Sequence, residues 1–275
     1  MVLPDLHTRV DLIRAALEYV VSPGTRLLDA LEQGSAALVF LGDGLHSEAE
    51  GAQARWRAAL REYRGGFEES PFMDAEMRAG ISAMRLVWRL KAAYPRNVHF
   101  IRGNHENILN EDSGGMHPFF KFALEGAMVR DWVERRYGKE LLMEWAGFEA
   151  ALPLAVVAGR ALLSHAEPAR RFSAAELIEG GPDAVDGLAW TENGASLPGS
   201  AEAMLDDFFP GDSGARFIVG HRPTPSRFSL RAGGRVVQIH NPLAAQGALL
   251  RANAAFEPGR DIVALPGPES LIRSS

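Results

Sequence analysis

The chain has 275 residues, 47% apolar and 23% charged, a balance that fits a folded globular protein and excludes a disordered one. It carries 29 basic residues against 35 acidic, a net charge of −6, so it has no general attraction for nucleic acid or an anionic membrane. There is no cysteine, hence no disulfide, thiolate metal site or cysteine nucleophile, and this composition suits the cytoplasm.

No apolar run approaches the roughly 18 residues that cross a bilayer, and no cleaved leader is expected. Residues 1–3 are a short apolar start. Thr8 with Asp11 reads as a helix N-cap and its reciprocal acid, and Val10, Ile13, Ala16, Leu17 and Val20 follow at helical spacing. Ser22-Pro23-Gly24 breaks that segment, and a second helix is expected over 25–33. The run 36–41 is apolar throughout, as in a strand covered on both faces. Residues 47–94 are helical in composition, interrupted at Gly65-Gly66 and Ser70-Pro71 and closed by Pro95. Residues 98–101 read as a strand, 107–118 as a polar loop and 119–150 as helical. Residues 154–157 and 160–163 read as a hairpin around Ala158-Gly159, and 180–200 as a surface excursion. Later strands are expected at 216–219, 227–230 and 236–239, with Gly233-Gly234 turning between the last two. No repeat or linker divides the chain, so one domain over 1–275 is expected.

The histidines carry the functional signal. His7, His46, His105, His165, His221 and His240 stand at or just beyond the end of an apolar strand-like run, whereas His99 and His117 do not. Asp5, Asp43 and Asn104 occupy the same kind of position. Strand ends deliver side chains into a shared crevice. A single histidine there is ordinarily a hydrogen-bonded structural residue. Six of them, with two aspartates and an asparagine, form a nitrogen and oxygen donor set suited to divalent manganese, iron or zinc.

In chain order, Asp5-x-His7, Gly42-Asp43, Gly103-Asn104-His105-Glu106, His165 and Gly220-His221 resemble the calcineurin-like metallophosphoesterases. The agreement is best with the phosphoprotein phosphatase (Ser/Thr phosphatase) branch. Residues 91–98 running into Arg102, the Arg135-Arg136-Tyr137 run, and Leu152-Pro153-Leu154 leading into Leu163-Ser164-His165 are also similar to that branch. About residues 1–250 are covered. The resemblance implies an α/β (α+β) fold, a four-layer αββα metallophosphatase sandwich with two mixed β-sheets flanked by helices. It implies two divalent metal ions (Mn, Fe, Zn or similar) roughly 3.5–4 Å apart. Asp5 and His7 would hold the first, Asn104, His165 and His221 the second, and Asp43 would bridge them. A metal-bridging hydroxide would attack phosphorus in line. His105 would be the catalytic proton donor to the leaving oxygen, with Glu106 bracing its loop. The expected protein is a cytoplasmic, metal-dependent phosphoric ester hydrolase. Its partner would be a phosphorylated substrate, a phosphoserine or phosphothreonine protein or a small molecule, with no nucleic acid and no membrane.

The second block departs from the family's Gly-Asp-x-x-Asp-Arg-Gly, reading Gly42-Asp43-Gly44-Leu45-His46-Ser47-Glu48. His46 replaces the aspartate that partners the catalytic histidine, and Ser47 replaces an arginine whose fork matches a phosphoryl group. Glu48 is the nearest compensating acid, and His46 is a candidate contact to phosphate or substrate. Candidate replacement cations are Arg222, Arg9, Arg130, Arg135 and Arg136. His240, in Ile239-His240-Asn241-Pro242, is a candidate for contact with substrate or with the ligands themselves. The long interval between Asp43 and Asn104 places a helical insertion at about 49–80, either a flap over the site or an outer layer. Two other functions stay open: a dinucleoside polyphosphate or phosphodiester hydrolase, and a metal-binding pseudo-phosphatase acting through protein contacts.

Overall fold

The computed structural model describes residues 1–252 and 254–267. The chain opens with β1 (Val2–Leu3), α1 (Val10–Glu18), a small hairpin of β2 (Val20–Ser22) and β3 (Thr25–Arg26), α2 (Leu27–Glu32) and β4 (Leu38–Phe40). Helices α3 (Ala52–Arg64) and α4 (Pro71–Ala93) precede β5 (Val98–Phe100). The long α5 (Glu125–Ala150), kinked at Gly138, leads into β6 (Ala155–Ala158) and β7 (Ala161–Ser164). Then come α6 (Ala174–Glu179), α7 (Pro182–Ala189), α8 (Ser200–Phe208), β8 (Arg216–Val219), β9 (Ser229–Arg231) and β10 (Val236–Gln238). The described chain closes through β11 (Gln246–Ala248), α9 (Pro258–Asp261) and β12 (Ile262–Ala264).

Two five-stranded sheets result, in the orders β12-β11-β1-β4-β5 and β6-β7-β8-β10-β9. Each has three parallel strands, β1-β4-β5 in one and β7-β8-β10 in the other, with antiparallel strands outside them. The parallel strands are apolar on both faces, and their two-residue alternation sorts side chains into separate interiors. Val2, Val39, Leu41, Leu163, Ile218 and Val237 fill the space between the sheets. Leu3, Leu38, Phe40 and Phe100 face the other way, onto a core shared with Ile13, Trp56, Met84 and Val129 of the first helices. Leu162, Phe217, Val219 and Val236 pack on Phe172, Leu188 and Met204. Each fully buried aliphatic or aromatic side chain contributes about 1.5–3 kcal/mol. The layers run helix, sheet, sheet, helix: the four-layer sandwich expected from the sequence.

Several local expectations are corrected. Thr8 does not cap α1: it is left-handed (φ 66°), the N-cap is Arg9, and no side chain caps the helix. The reason is that the His7 and Thr8 amides donate to the Asp43 and Gly44 carbonyls instead, at 2.7 and 3.1 Å. Residues 25 and 26 pair as β3, so the second helix starts at Leu27, where the Asp29 carboxylate accepts the Arg26 amide. Helix α5 starts at Glu125 rather than 119. The Glu125 side chain accepts the amides of Lys121, Phe122 and Ala123 and holds them as a loop. The stretch 180–200 is not merely a surface excursion, because Pro182 opens α7 and Val185 and Leu188 are buried there. Residues 49–80 are helical as expected, forming α3 and the start of α4. No helix among the described residues is long and apolar enough to cross a membrane.

Candidate metal centre

The six parallel strands end at one pole, where crevices between strand ends collect ligands in open sheets. The turn after β1 carries Asp5 and His7, that after β4 Asp43 and His46, and that after β5 Asn104 and His105. The segments after β7, β8 and β10 bring His165, His221 and His240. The backbone is strained there: His7, Asp43, His46 and His221 have φ of 40°, 54°, 70° and 64°. A left-handed non-glycine residue costs on the order of 1–2 kcal/mol and persists only where neighbours over-determine it. Close packing requires glycine beside them. Gly42 has φ 107°, and a Cβ there would stand 2.8 Å from the Gly103 nitrogen; one at Gly220 would collide with Asp5 Oδ1.

Proton positions follow from the hydrogen bonds. His165 Nδ1 donates to the Leu41 carbonyl at 2.7 Å, so its Nε2 presents a lone pair. That nitrogen faces Asn104 Oδ1 at 2.9 Å, His221 Nδ1 at 3.2 Å and Asp43 Oδ1 at 3.6 Å. Asn104 Oδ1 and His221 Nδ1 are 3.1 Å apart. His7 is built the same way: Nδ1 donates to the His46 carbonyl at 2.8 Å. Its Nε2 then faces Asp43 Oδ2 and Glu48 Oε1, each at 3.7 Å, and Asp5 Oδ2 at 3.9 Å. His240 Nδ1 lies 3.7 Å from Asp5 Oδ2. The two oxygens of Asp43 therefore face two different groups of donors.

These groups fit divalent cations. Lone pairs pointing at one another repel unless a positive charge lies among them. Asp5 Oδ2, His221 Nε2 and both ring nitrogens of His240 are buried without a hydrogen-bond partner, each costing about 1–3 kcal/mol if left so. Burial holds His165 down to about 3 and keeps His7 and His105 well below the usual imidazole range, so these rings are neutral, and His7 and His165 are free to ligate. Burial pushes Asp43 up to about 7, and burial with Asp43 alongside raises Asp5. Asp5, His7 and His240 offer donor atoms within 4.8 Å of one another, and so do Asp5, Asp43 and His165.

Glu106 braces the site, as expected. Its carboxylate accepts the amides of Gly103 (2.7 Å), Asp43 (2.8 Å) and Gly44 (2.9 Å). His105 stacks on Phe119 with ring centres 4.4 Å apart. The nearest carboxylate oxygen to its ring is Asp43 Oδ2 at 3.8 Å, and its Nδ1 is buried without a partner. His46 lies between the rings of Trp56 and Phe122, with Nε2 3.4 Å from Glu125 Oε1. Glu48 turns to His7, to His46 Nδ1 (4.0 Å) and to His240 Nε2 (3.9 Å), and pairs with Lys121.

The arginines singled out in the sequence are engaged elsewhere. Arg9 donates to the carbonyls of Asn241, Pro242 and Ala244, and Arg222 pairs with Glu192. Arg130 pairs with Asp131, Arg135 donates to the Gly66 carbonyl, and Arg136 pairs with Asp74. Apart from these five arginines, the structure gathers the singled-out residues Asp5, His7, Asp43, His46, Glu48, Asn104, His105, His165, His221 and His240 at this pole. Sequence reading missed Lys121, Phe119 and Glu125, which it placed inside a helix.

No family model matches the sequence. The fold is similar to a protein serine/threonine phosphatase from Saccharomyces cerevisiae with similarity to human phosphatase PP5. The TM-score is 0.57 at 15% identity, covering 97% of this chain and 79% of that one. A cold-active protein tyrosine phosphatase from a psychrophilic Shewanella species is similar over 86% of this chain and 69% of that one, at 14% identity and a TM-score of 0.45. The yeast likeness shows a shared four-layer sandwich fold.

Proposed function

We propose that this chain is a dimetal-dependent phosphoester hydrolase, a phosphatase, folded as a single domain with 49–80 as a helical insertion. The observation that carries the reading is the convergence of neutral imidazoles and carboxylates from both sheets, with one oxygen of Asp43 facing each group. Asp5 and His7 would hold one ion, Asn104, His165 and His221 the other, and Asp43 both. Such ions supply Lewis acidity toward phosphoryl oxygens and lower the pKa of bound water.

The chain's own residues do the rest. Asp43 holds the two donor groups in register, and Glu106 fixes the turn that carries it by accepting the Asp43 and Gly44 amides. Phe119 and the buried walls exclude water from one face of His105. A phosphate dianion beside the His105 ring favours its protonated form, and the proton taken up with substrate passes to the leaving oxygen. Phosphoserine or phosphothreonine in a protein is the substrate class the sequence resemblance favours. A second reading, a dinucleoside polyphosphate or diester hydrolase, is favoured by the engagement of the singled-out arginines elsewhere, since a diester leans less on a bidentate clamp.

The test is elemental analysis of protein prepared without chelator, followed by turnover of an aryl phosphate monoester, its diester and diadenosine tetraphosphate. Two manganese, iron or zinc ions with metal-dependent monoester turnover are expected. Two ions with no turnover on any of the three would mark a metal-binding pseudo-phosphatase, and absence of tightly held metal would overturn the reading.

A further inference from the structure

We infer that Lys121 is the side chain that binds the substrate's phosphoryl oxygens, held over the pocket by Glu48; this deepens the phosphatase reading and rests on it. Asp5, Asp43 and Glu48 give the pocket three carboxylates; the two proposed ions would offset Asp5 and Asp43, which leaves Glu48 as the negative charge that an entering phosphate dianion must have screened. Among the described residues, Lys121 is the one lysine or arginine that forms an ion pair with any of these three. Its ammonium donates to Glu48 Oε1, the same oxygen that lies 3.7 Å from His7 Nε2 and 4.0 Å from His46 Nδ1.

The pair runs from the buried donors out to solvent. The Glu48 side chain is 8% exposed and the Lys121 side chain 41% exposed, so the carboxylate belongs to the interior and the ammonium meets solvent. The segment that carries it is fixed rather than loose. Glu125 accepts the Lys121 amide at 2.9 Å, Phe122 stacks on His46, and Phe119 stacks on His105. Lysine suits the task because three rotatable donors on a flexible stem can keep Glu48 and take a phosphoryl oxygen together. Glu48 is then a positioning residue, and Lys121 the one that touches substrate.

The experiment compares wild type, Lys121→Met and Lys121→Arg by bound metal, kinetics on an aryl phosphate monoester and calorimetric binding of inorganic phosphate. All three proteins are expected to hold the same metal. Lys121→Met should weaken phosphate binding and raise KM by about 10-fold or more, the loss of one charge-assisted hydrogen bond. Lys121→Arg, which keeps the charge, should stay within about 3-fold. If wild type turns over and Lys121→Met binds phosphate as tightly as wild type, this inference falls while the phosphatase reading stands. Lys121-dependent phosphate binding in a protein that turns over no phosphoester supports the inference and overturns the catalytic reading. A wild type that neither binds phosphate nor turns over any ester overturns both. If Lys121→Met loses metal along with phosphate, the side chain serves the architecture of the site, and the inference also fails.

Discussion

The two ends of the pocket are built differently. At one end Asn104, His165 and His221 bring their donor atoms within 3.2 Å of one another, and the Leu41 carbonyl fixes the His165 ring. At the other end Asp5, His7, His240 and Glu48 stand 3.7–3.9 Å apart, and the chain of contacts runs outward to a partly exposed lysine. The first end is closed around a point, as a cation requires. The second is wider and ends in an exchangeable partner, which leaves room for a substrate beside the ion that Asp5 and His7 would hold. Pre-organisation is thus greatest at the His165 end.

Substitutions can break or sharpen this contrast. Asp43→Asn acts on both ends at once, because its two oxygens face His7 and His165. Turnover should fall by at least about 10³-fold, with metal lost from both ends in elemental analysis. His105→Ala should lower kcat by about 10²–10⁴-fold while metal content is unchanged; loss of metal would make it a ligand rather than a proton donor. His221→Ala and His240→Ala compare the ends directly. The first should leave one ion fewer per chain. The second should weaken metal affinity about 10–100-fold without changing stoichiometry, and equal effects from the two would erase the distinction.

The smallest effect concerns the loop that carries Phe119 and Lys121. His117 joins Asp112 of that loop to Asp186 of α7, at 2.7 and 2.9 Å, and bonds to Asp186 and Asp112 raise its pKa. A raised histidine stabilises the fold fully below its unfolded pKa of about 6.5, and the contribution is lost as pH climbs through the folded value. The Tm difference between wild type and His117→Ala should therefore be larger at pH 6 than at pH 9. A difference independent of pH would show that the clasp adds nothing through its charge.

Much of this architecture was legible because it rests on local signals. Strands buried on both faces announce themselves as apolar runs, and β4, β5, β7, β8 and β10 fall within a residue or two of where such runs lie. The donors were legible because each follows such a run. What stayed hidden depends on contacts distant in sequence. Thr8 looks like a cap, but its amide is taken by Gly44, 36 positions away. Lys121 lies in a stretch of helical composition, and only the Glu125 side chain folding back on three amides turns it into a loop. Its partner Glu48 is 73 positions earlier, and no spacing rule connects them.

One consequence of the two-sheet construction reaches beyond the pocket. The donors divide between the sheets, Asp5, His7, Asp43 and Asn104 on one and His165, His221 and His240 on the other. The slab of Val39, Leu41, Leu163, Ile218 and Val237 between them therefore acts as a gauge block that sets the gap across which any cation is grasped. Thinning the block, as in Ile218→Ala, should be felt as slackened grip as well as lost cohesion. In the opposite direction, a cation seated at the pole rivets the two leaves together, so occupancy and resistance to heat should rise in step.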